Sequence, residues 1–143
     1  MKGLNKPPTG FFVIGVLALV WNLFGVMAYI GQAYMTPDVI EGMDKAEIEF
    51  IQNTPAWVTA AFAFAVWGGF LGSLFLLLRK GFSFYLFVIS MLGIVVQQSY
   101  NFFLAESPPI DGGTAYIMPA SIILVGVFLI YYARRAKNKE WIS

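Results

Sequence analysis

Four apolar runs dominate the chain: Phe11–Ile30, Ala56–Leu78, Phe82–Leu104 and Ala115–Ala133, each 19 to 23 residues long. At about 1.5 Å rise per residue, a helix of that length reaches across a hydrocarbon core of about 30 Å. None of the runs contains Asp, Glu, Lys or Arg, so every charge lies in a tail or a connection. The pattern predicts an all-α membrane protein of one transmembrane domain over residues 1–143. Arg79-Lys80-Gly81 leaves only a tight turn between the second and third runs, which predicts an antiparallel hairpin. Thr54-Pro55 reads as an N-cap followed by a proline at the first helical position. In the first connection, Thr36-Pro37-Asp38 and Asp44-Lys45-Ala46-Glu47 resemble two helix starts, the second with capping-box spacing. Ile48 and Ile51 share a face there, predicting a short interfacial helix over Lys45–Gln52. The third connection, Ser107–Gly113, is a cluster of turn residues.

Composition agrees with the pattern. Hydrophobic residues are 59% of the chain and charged residues 12%, about half the roughly 25% of a soluble domain. With no Cys and no His, disulfides, thiolate sites, lipid anchors on cysteine, the usual haem and zinc ligands and the usual neutral-pH base are excluded. The charges also segregate. Lys2, Lys6, Arg79, Lys80, Arg134, Arg135, Lys137 and Lys139 stand against only Glu140 in three segments. Asp38, Glu41, Asp44, Glu47, Glu49, Glu106 and Asp111 stand against only Lys45 in the other two. The positive-inside rule predicts both termini in the cytoplasm and the acidic connections outside. The first run exceeds the 7–15 residues of a signal-peptide core, so it reads as a span and not as a cleaved leader. A net charge of +1 gives no footprint for a nucleic-acid partner.

Within the runs, the faces differ. Ala61, Ala65, Gly69 and Ser73 recur every fourth residue, with Gly68 and Gly72 beside them, a ridge that admits a close backbone. It reads first as internal helix packing and second as a homodimer face. Gly15, Ala18, Asn22, Gly25, Tyr29 and Gln32 form a seam in the first run, and Ser90, Gly93, Gln97 and Tyr100 form one in the third. Gln97 lies about 6 Å and Asn101 about 12 Å outward from the centre of its span. Asn22, Tyr29, Gln32, Trp57, Gln97, Tyr100 and Asn101 therefore have two readings: interhelical hydrogen bonding, or a polar pocket open to the acidic side. Trp57, Tyr34 and Tyr116 on one side and Tyr131, Tyr132, Phe82 and Tyr85 on the other read as interfacial anchors. Trp21 and Trp67, in mid-span, are expected to face neighbouring helices that offer an acceptor. No nucleophile–base pair, convergent carboxylates or metal-ligand cluster is visible, so neither an enzyme nor a cofactor or metal site is expected.

Particular strings carry a likeness: Ala18-Leu19-Val20-Trp21-Asn22-Leu23-Phe24-Gly25-Val26, Pro55-Ala56-Trp57-Val58, Val66-Trp67-Gly68-Gly69-Phe70-Leu71-Gly72-Ser73, Leu77-Leu78-Arg79-Lys80 and Tyr100-Asn101-Phe102. Together they resemble a family of small four-span bacterial inner-membrane proteins, often labelled "sugar transporter". The resemblance runs from Phe11 to Leu104 and implies small-solute transport, with an oligomer formed through the Ala61–Ser73 ridge supplying a path. Physical chemistry alone leans to a different role, a non-catalytic accessory subunit of a larger membrane complex.

Overall fold

The computed structural model describes residues 4–34, 37–104 and 117–143. It is helical, and no strand occurs among the described residues. Thr9–Ala33 forms α1, Pro37–Glu41 α2, Lys45–Asn53 α3, Ala56–Leu77 α4, Phe82–Ser99 α5 and Ile117–Asn138 α6, with a π turn at Tyr100–Leu104 extending α5. Four of these, α1, α4, α5 with its π turn, and α6, are long and apolar enough to cross a membrane. The predicted turn cluster Ser107–Gly113, the start of the fourth run at Ala115, and Tyr116 lie outside the described residues.

The helices pack in chain order. α4 lies between α1 and α5, and α6 packs on α5. Along the first pair, Gly15 meets Leu77, Gly25 meets Val66, and the Tyr29 and Phe62 rings stand edge to face at 5.6 Å. Numbers rise on α1 as they fall on α4. Along the second pair, Gly72 faces the Phe87 ring, Gly68 faces Leu86 and Ser90, and Gly93 lies against the backbone of Ala61 and Ala65. A Cβ on Gly93 would stand 2.5 Å from the Ala61 carbonyl oxygen. These glycines are what allow α4 and α5 to approach backbone to backbone, because no side chain separates them.

The ends of three segments interlock at the basic end. Asn5 N–H donates to the Glu140 carbonyl at 2.9 Å, and the Asn5 amide donates to the Lys139 carbonyl at 3.0 Å. Arg79, in the α4–α5 turn, donates from Nε to the Trp141 carbonyl at 2.8 Å and from Nη2 to the Asn5 carbonyl at 2.7 Å. Ser143 N–H donates to the Arg79 carbonyl, and Gly81 N–H donates to the Ser143 carbonyl. Beneath this clasp lies the main core, Phe11, Leu76, Phe87, Leu129, Tyr132, Ala133, Ala136 and Ile142. α1 and α6 meet there through stacked Phe11 and Tyr132 rings 6.3 Å apart.

Several details differ from the sequence reading. α6 runs on to Asn138, past the apolar boundary at Ala133, because Arg135 and Lys137 in its last turn complement the helix dipole. Lys137 also rests its ammonium over the Tyr85 ring, 5.4 Å from the centroid. Tyr132 is buried among Phe11, Phe128 and Trp141 and is no interfacial anchor. Thr54 does not cap α4: its hydroxyl donates back to the Phe50 carbonyl at 2.7 Å, closing α3, and Pro55 occupies the N-cap position. Trp67 is 40% exposed and packs edge-on to Phe70 of its own helix instead of facing another.

Candidate functional site

The three packed helix pairs leave one side of the bundle open, between α1 and α6. A cavity of about 420 Å³ lies there, lined by all four long helices, within the roughly 300–1,000 Å³ typical of small-molecule sites. α1 supplies Trp21 to Ala28, α4 Phe62 to Gly69, α5 Phe87 to Gln97, and α6 Met118 to Leu129. Phe87 and Leu129, at the floor, belong to the buried core at the basic end. The cavity therefore occupies the middle of the bundle, above the core at the basic end. Its rim includes Trp21, Phe24 and Met118, all exposed, the last two at 65% and 57%.

Local sequence explains why the space exists. The α4 wall is built from Ala65, Val66 and Gly69, and α6 presents Gly126. Ala65 and Val66 take up little volume on that wall, whereas Gly69 and Gly126 are closed off by Asn22 and Met91 and set helix spacing.

The seven residues of the expected polar pocket separate into groups. Asn22 and Gln97 line the cavity. The Asn22 amide nitrogen donates to the Ala18 carbonyl at 2.8 Å and to the Ser73 hydroxyl at 3.2 Å, while its oxygen lies against Gly69. Ser73 in turn donates to the Gly69 carbonyl at 2.8 Å. Asn22 thus bonds α1 to α4 as well as facing the cavity. Trp57 and Tyr100 meet elsewhere, edge to face at 5.8 Å, with Phe50 of α3 tilted against Tyr100 at 6.4 Å. The Tyr100 hydroxyl donates at 3.5 Å to the Asn53 carbonyl, which ties the π turn to α3. Tyr29 packs on Phe62, and Gln32 and Asn101 are half-buried outside the cavity lining. One continuous polar pocket is not formed, because the widened turn at Tyr100–Leu104 and the packing of α3 draw Trp57 and Tyr100 into their own aromatic cluster.

The six residues of the small-residue ridge are all buried within this chain. Gly69 and Ser73 face Asn22 of α1, whereas Ala61, Ala65 and Gly68 face Gly93 and Ser90 of α5, and Gly72 faces Phe87. Ala61, Ala65, Gly68, Gly69, Gly72 and Ser73 are thus covered by α1 and α5 of the same chain, in keeping with the first of the ridge's two readings, internal helix packing.

Few polar groups in the cavity are open to a ligand. Both amide hydrogens of Asn22 are engaged, and Ser90 spends its hydroxyl proton on the Ala65 carbonyl. The Gln97 amide has no hydrogen-bond partner among the described residues, and it offers two donors and an acceptor. Gln98, the next residue, is buried away from the lining, its Oε1 also unpartnered. No lining residue is ionisable. A sugar ring carries a hydroxyl on nearly every carbon, and each left unpaired in such a site costs about 1–3 kcal/mol. The lining suits a largely apolar ligand with a single polar group. Sequence reasoning found Asn22 and Gln97 through depth and seam spacing; it missed Trp21, Phe62, Ile122 and Val125, whose apolar character is what every lipid-facing position also shows.

No protein-family model, curated protein or solved structure matches this chain.

Proposed function

We propose that this chain is a non-catalytic multi-pass protein of a bacterial inner membrane that binds a small molecule within the bilayer, in a carrier role. In this reading the four long helices cross antiparallel, with both termini and the Arg79 turn in the cytoplasm. The clasp among Asn5, Arg79 and Trp141–Ser143 supports this, since it joins the basic segments that the positive-inside rule assigns to one face. α3, with Ile48 and Ile51 on one face, then lies along the outer interface. The cavity of about 420 Å³ carries the functional reading. Small-solute transport is also what the family resemblance implies, although the lining supports a sugar poorly.

An accessory role in a larger complex is the second reading, and α6 favours it. α6 packs on α5, meets α1 mainly through rings at one end, and leaves Leu124, Val127 and Tyr131 exposed. Stoichiometric co-purification with an unrelated membrane complex in gentle detergent would support it.

Two measurements test the first reading. Single cysteines at Glu49 and Lys137, in this cysteine-free chain, are expected to react with impermeant reagents from outside and from the cytoplasm respectively; the reverse overturns the orientation. Melting of purified protein across apolar, amphiphilic and sugar ligands is expected to rise for one class. A melting point that no class moves overturns the cavity reading.

A further inference from the structure

The class of ligand can be narrowed, on the premise that the cavity is a binding site. We propose that it takes a single-chain amphiphile with an uncharged head, drawn sideways from the bilayer between α1 and α6, with its head at Gln97 and its tail reaching toward Phe87 and Leu129.

Dimensions come first. From Phe87 to Gln97 the α5 wall is ten residues, about 15 Å. From Met118 to Leu129 the α6 wall is about 16 Å. An extended chain advances about 1.2 Å per single bond, so the cavity length matches a tail of about twelve carbons.

Chemistry sets the polarity and direction. The lower cavity is lined by Phe87, Val125 and Leu129 and carries no free donor, which suits hydrocarbon. Gln97 stands at the opposite end with its amide unpartnered among the described residues, where a hydroxyl or carbonyl of the ligand would gain a donor and an acceptor. An ionised head is disfavoured because no lining residue bears a charge to pair with it. The entry route follows from the open side. Its rim residues Trp21, Phe24 and Met118 are apolar and exposed, and with α1 and α6 spanning the membrane they face lipid tails instead of water. A molecule dissolved in the bilayer reaches such a mouth without crossing a polar barrier.

Trp21 provides the readout, since it lines the cavity and its fluorescence is quenched by bromine at contact. The parent protein is reconstituted in lipid nanodiscs and titrated with dodecanol brominated on its chain. The expected result is a saturable quenching component, superposed on the linear one from bulk lipid, that is absent in Trp21→Phe. Val125→Phe, which fills the cavity, is expected to abolish it with helicity by circular dichroism unchanged. Gln97→Leu is expected to weaken it about tenfold, the effect of one lost hydrogen bond. Saturation at the same concentration in Gln97→Leu overturns the head placement. Equal saturation by a brominated dodecyl trimethylammonium, whose charge no proton can remove, overturns the uncharged head. If glucose raises the melting point and dodecanol gives no saturable component, the amphiphile is wrong and the cavity reading stands. If neither ligand registers and no other ligand class moves the melting point, the cavity reading itself fails.

Discussion

At the scale of single residues, the same amino acid has opposite consequences in different places. A Cβ added at Gly93 would press on the backbone of Ala61 and Ala65, neither of which can yield without parting α4 from α5. At Gly31 a Cβ would meet nothing within 4 Å. Gly93→Leu is therefore expected to cost at least the 1–3 kcal/mol typical of overpacking, whereas Gly31→Ala should leave stability unchanged or raise it slightly, as for helical glycines generally. Unfolding in mixed detergent micelles distinguishes the two, and comparable losses would show that the α4–α5 contact is looser than described. The seam spacing of Gly93 was legible in the sequence. Its partner was not, because spacing gives a face and not the helix that meets it. Asn22 illustrates the same limit: depth marked it as special, but only the position of Ser73 and Gly69 on α4 decided how its amide is used.

At the scale of elements, apolar length located the four long helices, and their boundaries moved where a local interaction outweighed hydropathy. α3 was legible from Lys45 onward, since a helix start and an apolar pair coincide there. The π turn at Tyr100–Leu104 was not, because no sequence signal separates it from an ordinary last turn. Its Tyr100 makes the clearest test of how α3 is held. The hydroxyl contact to Asn53 is at the limit of hydrogen-bonding distance and is worth little. The ring, by contrast, packs on both Trp57 and Phe50, and such aromatic pairs contribute about 0.5–1.5 kcal/mol each beyond their burial. Tyr100→Phe is expected to leave protease resistance between residues 34 and 56 as in the parent. Tyr100→Ala should speed cleavage there several-fold. Equal sensitivity of both variants would assign the work to the hydroxyl.

At the scale of the molecule, one end is tightly tied and the middle encloses space. Arg79 links both tails while adopting φ 61, a left-handed conformation that costs a non-glycine residue about 1–2 kcal/mol. Two substitutions separate its roles. Arg79→Ala loses the bonds to Asn5 and Trp141 and keeps the backbone penalty, whereas Arg79→Gly loses the same bonds and relieves it. Both variants are expected to melt below the parent, with glycine above alanine by about 1 kcal/mol in unfolding free energy. Identical melting of the two would mean that the turn relaxes once the guanidinium is gone. A tied basic end also fits the cavity reading, since the α1–α6 gap can then widen without the spans separating.

The chain's own residues determined where the four described helices long and apolar enough to cross a membrane lie, and how its charge is segregated, because each depends on what a segment is made of and not on what lies beside it. Two further features were half-determined. The small-residue ridge was visible as a surface that wants a close partner, and Asn22 and Gln97 were visible as amides at depth. Tertiary structure decided the rest. It assigned the ridge to α1 and α5 of the same chain, moved Trp57 and Tyr100 into a cluster with α3, buried Tyr132, and left the α1–α6 side open over an apolar cavity. The physical reason is common to all four. In a membrane helix nearly every face is apolar, so composition no longer separates a residue that packs from one that meets lipid or a ligand, and only the placement of the neighbouring helices does.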